Sequence, residues 1–350
     1  MSPQDRTLDR YQELMQINAA SHVLRTAREV GILEALRSGQ KTADQLTEML
    51  GLNQASLQLM LECLISMNVI EQYEDDLALA PVMQLLCQYD GDLGDSAWRS
   101  LANRLRDADA TPAMAQRDYL DSQAATQWVH TPAAMQAAEM LDVGAADVAG
   151  AGGSDEGESA TDRAAATLRI LDLGCGSAVW SCAMAYRAEQ ATVLAVDSES
   201  ALAAARSTAE SIGLGDRFAT LVAEPESADL PESDLPGAGF DLVVIAQRLH
   251  AATAAGRDRL LDQACRVLAP GGRLVVIDLF QGPASPRLSE TIEALRIHVG
   301  TSAGQVQVAD ELRESLRSRG LGQIQFSFIA ASRINLGIMV ASRPNDSLPS

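Results

Sequence analysis

Lysine is almost missing from this chain: Lys41 is the one lysine among 27 basic residues, and the arginines form no run. Positive charge is scarce altogether, because 47 acidic side chains bring the formal net charge to −20. A field of that sign repels phosphate backbones and anionic membrane surfaces and favours cationic ligands, so neither nucleic acid nor a membrane is expected as a partner. Cysteine is sparse as well. The five, Cys63, Cys87, Cys175, Cys182 and Cys265, are odd in number, scattered, and include no CxxC pair. That pattern argues against a zinc site or a disulfide scaffold and fits a reducing cytoplasm, with no metal expected. Long apolar runs are lacking too. No window approaches the roughly 18 apolar residues of a membrane span, and the charged opening "MSPQDRTLDRYQEL" has no apolar core of signal-peptide length. A cytoplasmic protein is expected.

What is present is enough apolar material for two cores: 350 residues, 47% of them hydrophobic, suit one large domain and a smaller one. Between residues 14 and 37, Ile17, Val23, Leu24, Ala27, Val30, Leu33 and Leu36 recur at helical spacing, with Gly31 as a break. Thr42 and Asn53 read as N-caps of two further helices and Gly51 as a stop between them. "VIEQYEDDLALA" alternates around Glu74, Asp75 and Asp76 and reads as a hairpin. Helices followed by such a hairpin suggest a winged helix, a shape that often binds DNA. Here, however, residues 41–80 contain seven acids and one base, and the helix over 53–68 has no Lys or Arg with which to neutralise phosphate. A protein-interaction role is the better expectation, with a winged-helix transcription factor kept as a lesser alternative.

Residues 98–141 are again helical in pattern, and Trp98, Leu101, Leu105, Met114, Trp128, Met135 and Met140 read as core, with pocket lining as the alternative. Residues 142–167, rich in Gly, Ala and acids, read as a solvated connector. From 168 onward strands and helices alternate, which implies a parallel sheet covered on both faces. At the end, "IQFSFIA" and "NLGIMVAS" are too close for a helical crossover, so the last strand should run antiparallel. The expected organisation is an N-terminal winged-helix-like domain over 1–105, connecting helices and an acidic linker over 106–165, and an α/β Rossmann-like domain over 166–350.

The stretch "LRILDLGCGSAVWS" sets an acid and two glycines directly after an apolar strand. In an open parallel sheet ligands bind outside the carboxyl ends of the strands where strand order reverses. Gly174 and Gly176 let the backbone bend tightly and approach a ligand, and the following helix offers free N–H groups. Twenty-one residues past Gly176 the second strand ends in Asp197, placed to accept from both ribose hydroxyls of a nucleoside. The third glycine of a dinucleotide fingerprint would fall at Val179, so that fingerprint fails. Asp172 is extra to it, and an acid there suits a ligand with a cationic end, such as a sulfonium.

With those residues in view, the chain resembles the class I S-adenosylmethionine-dependent methyltransferases, whose first motif is commonly D-x-G-x-G-x-G. It stands here as Asp172, Gly174, Gly176 and Ala178. "FDLVVIAQRLH" and "RVLAPGGRLVVID" look like the fourth- and fifth-strand motifs of that fold, and the closing hairpin is its topological mark. Over roughly 12–342 the plan is similar to one subgroup, the small-molecule O-methyltransferases with an N-terminal winged-helix dimerisation domain. The resemblance implies S-adenosyl-L-methionine as cofactor, a homodimer, and a small hydroxylated substrate, aromatic, polyketide or isoprenoid.

The resemblance also implies site residues. The family takes its base from a histidine just past the fourth strand, which here is His250 within Leu249-His250-Ala251-Ala252, and orients it with a carboxylate ending the fifth, here Asp278. Imidazole is suited to accepting a hydroxyl proton. Glu224, after the third strand, is matched to the adenine side. Two departures stand out: the usual Asp-Trp after the histidine is Ala251-Ala252, and where a second acid is expected there are only Gln305, Val306 and Gln307. They keep open a catalytically reduced cofactor-binding or regulatory protein of the same fold. The plainer readings also stay open: His250 as a strand-end histidine satisfied by a backbone carbonyl, Asp278 as a capping or loop acid, and His22 as surface or packing, while His130 and His298 stand in helical stretches with pocket lining as the lesser alternative.

Overall fold

The computed structural model describes residues 3–81, 83, 95–107, 116–143, 167–226, 230, 239–282 and 286–345. Contacts divide the chain into two units, Met1–Asp95 and Ser96–Ser350. The Gly/Ala-rich acidic connector falls almost entirely outside the described residues, as do Cys87 and Met114.

In the first unit, local chemistry places the helix ends. Helix α1 (Pro3–Glu29) gives way at Gly31, whose φ of +87° leads into α2 (Ile32–Arg37). After the short β1 (Lys41–Thr42), Thr42 caps α3 (Ala43–Leu50): its hydroxyl accepts from Gln45 N, and the Gln45 side chain accepts in return from Thr42 N. Gly51, at φ +62°, stops α3, and the Asn53 side chain caps α4 (Gln54–Ser66). Strands β2 (Ile70–Tyr73) and β3 (Asp76–Leu79) form the expected hairpin, and β1 joins it in the antiparallel order β1-β3-β2. Ile32, Leu46, Leu61, Leu64, Ile70 and Leu79 make the core. Along α1, by contrast, Leu8, Tyr11, Leu14, Met15 and Ile17 are 52–63% exposed.

The second unit begins with helices α5 (Asp95–Arg106) and α6 (Gln116–Thr126), a 3₁₀ turn over Gln127–His130, and α7 (Thr131–Met140). Helical spacing holds there, but Leu105, Trp128 and Met140 are 72%, 43% and 40% exposed, which corrects the expectation that they are core. Spacing identifies a helix more surely than it identifies the buried face, since much of any protein surface is apolar.

Alternation then builds the sheet: β4 (Arg169–Leu173), α8 (Val179–Arg187), β5 (Thr192–Asp197), α9 (Glu199–Ser211), β6 (Phe218–Val222), β7 (Phe240–Ala246), α10 (Ala254–Val267) and β8 (Leu268–Leu279). Helices α11 (Leu288–Gly300) and α12 (Ala309–Ser318) precede β9 (Gly322–Phe328) and β10 (Leu336–Ser342). The seven strands lie in the order β6-β5-β4-β7-β8-β10-β9. They are parallel through β8, and β10 runs antiparallel to both its neighbours. β4 therefore has β5 on one side and β7 on the other, so the order reverses there and the carboxyl ends of these three strands frame one crevice. Among the described residues no helix is long and apolar enough to cross a membrane.

Candidate functional site

The turn leaving β4 is left-handed three times over: Gly174, Gly176 and Ala178 have φ of +70°, +55° and +55°. Glycine takes that conformation without the Cβ penalty, and both glycines also need the space. A Cβ on Gly174 would lie 2.9 Å from Arg248 Cγ and Cδ, and one on Gly176 would lie 2.5 Å from Gln127 Oε1. Gly174 and Cys175 N–H groups donate to Val196 O at 2.8 and 3.2 Å, which ties the turn to the end of β5. Asp197 completes the tie: Oδ2 accepts from Gly176 N at 2.9 Å and Oδ1 from Ser198 N at 2.8 Å.

Asp172 lies wholly buried beneath this turn. Its Oδ2 accepts from Ser181 Oγ at 2.5 Å, whereas Oδ1 has no hydrogen-bond partner among the described residues. Burial, with the nearby Asp197 charge adding to it, raises the carboxyl to about 7 against the opposing Ser181 bonds.

At the carboxyl end of β7 the chain carries a second group of polar side chains. Gln247 adopts φ +52°, rare for a residue with a side chain, and its N–H donates to Ile277 O at 2.6 Å. Its side-chain oxygen accepts from Trp180 Nε1 at 3.2 Å, its amide nitrogen meets His130 Nε2 at 3.0 Å, and its carbonyl accepts from Gln123 Nε2 at 2.8 Å. Burial depresses His130 to about 4, so it is neutral near pH 7. Arg248 is only 6% exposed; Nε donates to Glu226 Oε1 at 2.5 Å and Nη1 to Asp197 Oδ2 at 3.4 Å.

His250 follows, 1% exposed and held from two sides. Its Nδ1 lies 2.6 Å from Asp278 Oδ1 and its backbone N–H donates to Asp278 Oδ2 at 3.0 Å. On the other side the Tyr119 hydroxyl is 3.0 Å from Nε2. With Nδ1 donating to Asp278 Oδ1, the neutral imidazole keeps its lone pair on Nε2 and accepts there from the Tyr119 hydroxyl, whose pKa burial pushes well up. The Tyr119 ring is seated against Gly300, where a Cβ would come within 3.0 Å of it, with Arg296 5.7 Å from the ring centroid.

Asp172, Gly174, Gly176 and Asp197 thus lie around one turn, and His250 and Asp278 form a pair on the neighbouring strands. Glu224 follows Ala223, whose N–H donates to Asp197 O at 3.0 Å, and is itself half-exposed and ion-paired with Arg117. Among the described residues neither ring nitrogen of His250 is taken by a backbone carbonyl. His298 contributes its carbonyl to Arg104 at 3.2 Å, and His22 is exposed on α1.

Sequence reasoning missed Tyr119, Gln123, Gln127, Arg248 and Glu293. The first three, with His130, recur every three or four residues, so a polar stripe along α6 and the 3₁₀ turn was there to be read. Glu293 on α11 is a partly buried acid, while the place before α12 where an acid is expected holds none. Burial alone would raise its carboxyl, but the Arg296 hydrogen bonds and charge, with smaller help from His250 and His130, hold it below the usual range.

Residues 170–272 match the model of a methyltransferase domain, and residues 12–84 match that of an O-methyltransferase dimerisation domain. A 27-O-demethylrifamycin SV methyltransferase of Amycolatopsis mediterranei (strain S699) is 34% identical over 167 residues, 46% of this chain and 58% of that one. A demethylmenaquinone methyltransferase of Thermus thermophilus is 39% identical over 114 residues, 32% of this chain and 48% of that one. The chain spans about half the length of these curated relatives. Among solved structures, human N-acetylserotonin methyltransferase in complex with SAM is similar over 99% of both chains, with a TM-score of 0.66 and 16% sequence identity, a likeness of fold.

Proposed function

With a methyltransferase domain over 170–272 and an O-methyltransferase dimerisation domain over 12–84 as its premise, we propose that this chain transfers a methyl group from S-adenosyl-L-methionine to a hydroxyl of a small molecule. The observation that carries the reading is the Asp278–His250 pair, set at the carboxyl ends of β7 and β8 beside the glycine turn of β4.

The residues present fit the donor. Asp197 at the end of β5 is the acceptor for the ribose hydroxyls, and the left-handed glycines let the backbone approach. The unpartnered, buried Oδ1 of Asp172 suits the cationic end. When bound, the donor supplies an electrophilic methyl on a positive sulfur. The chain's task is then to bring the acceptor oxygen into line and to take its proton. His250 Nε2 is the base, and its lone pair already accepts from an oxygen at 3.0 Å, that of Tyr119, which marks where an acceptor hydroxyl bonds. Asp278 fixes the tautomer that puts the lone pair on Nε2, where the acceptor hydroxyl would take the place of the Tyr119 hydroxyl. His250 Nε2 would take the proton of the acceptor hydroxyl, and Asp278 would hold and stabilise the imidazolium that results.

The acceptor class is a small aromatic, polyketide or isoprenoid alcohol or phenol, a reading that the rifamycin-type relative supports. The first unit, a winged helix in our reading of its helices and β2–β3 hairpin, joins two copies into a homodimer through the exposed apolar face of α1. The free thiols Cys63, Cys175, Cys182 and Cys265 suit a cytoplasmic setting.

His250→Ala tests the assignment. Methyl transfer to a panel of phenolic and polyketide acceptors should fall by at least about 100-fold, while the affinity for S-adenosylhomocysteine, measured by calorimetry, stays unchanged. Equal turnover in the variant would remove His250 as base. Donor binding by the wild type with no turnover on any acceptor would point instead to a non-catalytic cofactor-binding protein.

A further inference from the structure

The chain covers its own cradle. Gly174 is in contact with the stem of Arg248, and Gly176 with the Gln127 amide, whose Oε1 accepts from Ser177 N at 2.9 Å. These are the surfaces that the donor reading assigns to the ribose and its neighbourhood. Arg248 also engages the ribose acid directly, through Nη1 to Asp197 Oδ2.

The two ion pairs of Arg248 are unequal. Glu226 is bonded at 2.5 Å and Asp197 only at 3.4 Å. The guanidinium can therefore give up the long contact while keeping the short one, without being left as an unpaired buried charge, which would be costly. Asp197 loses little in return, because its bonds from Gly176 N and Ser198 N remain. Resting on the donor-site reading above, we infer that Arg248 is a latch on the ribose site: closed against Asp197 and Gly174, and drawn aside by Glu226 when a nucleoside binds.

The latch sets affinity. If it leaves the cradle open in a tenth of the molecules, the apparent dissociation constant is about tenfold weaker than that of the open form. Removing the latch should recover that factor, and removing its parking place should make matters worse.

S-adenosylhomocysteine binding by titration calorimetry to four full-length proteins reads this out. Arg248→Ala should bind about tenfold tighter than wild type. Glu226→Ala should bind more weakly, since the guanidinium then has Asp197 as its remaining carboxylate. Arg248→Ala/Glu226→Ala should match Arg248→Ala, because a parking place is irrelevant without the latch. Arg248→Met, which keeps the stem but not the charge, replaces Arg248→Ala should circular dichroism show that protein unfolded. Equal or weaker binding by a folded Arg248 variant, beside a wild type that binds, overturns the latch and leaves the donor reading intact. No binding by the wild type or any variant overturns the donor reading and the latch with it.

Discussion

Asp172 shows how one buried carboxyl links the donor site to pH. Its folded value of about 7 lies above the ordinary 3.8, so between those values the folded chain holds a proton that the unfolded chain has released. Stability from this group is therefore complete below about pH 4 and is lost as pH rises through 7, by at most about 4 kcal/mol. Urea unfolding at a series of pH values from 4.5 to 7.5 should show that decline, and Asp172→Asn should flatten it; an unchanged slope would remove Asp172 as its source. At this scale the sequence was legible where a motif constrains it. Asp172, Gly174, Gly176 and Asp197 stand at spacings that a strand and a tight turn impose. Arg248, Tyr119 and Glu293 reach the site from separate elements, so their meeting depends on strand order and helix packing that local patterning does not encode. Glu224 was placed by counting past β6, and counting says nothing of Arg117.

Helix ends are written locally, and accordingly Thr42, Gly51 and Asn53 were readable in advance. The reciprocal bonds between Thr42 and Gln45 make a direct test. Thr42→Ala should destabilise by about 1 kcal/mol in denaturant unfolding, and Gln45→Ala in the same background should add little, because the partners act together. Full additivity would show that the two bonds are independent. Helical stretches between 98 and 141 were equally visible, but their buried faces were not. Leu105, Trp128 and Met140 share the spacing of core residues and still face water, because the neighbours that decide burial arrive from the sheet, far along the chain. The polar stripe of Tyr119, Gln123, Gln127 and His130 is the complementary lesson: it spends hydrogen bonds on the carboxyl ends of the strands, where a hydrophobic count sees only a weak helix.

For the whole molecule, alternation from residue 168 and the short final connection were enough to give a parallel sheet closed by an antiparallel strand. The order in which the strands lie was not, since nothing local records on which side of β4 each crossover lands. Assembly is testable at the same scale. Leu14 and Ile17 stand one turn apart on α1, each 53% exposed. Sedimentation should give twice the chain mass of 37.2 kDa for the wild type, and Leu14→Asp/Ile17→Asp should sediment as a single chain with its circular dichroism intact. A double variant that remains paired would place the contact elsewhere.

Asp197 is both fastener and recognition group, its two oxygens already receiving the amides of Gly176 and Ser198. Exchanging it to retune which sugar is accepted would also unpin the bend that the sugar rests on. Engineering of nucleoside preference in this chain has to begin at positions beside the bend that do not hold its backbone, and Glu226 and Arg248, bonded to each other there, are two such positions.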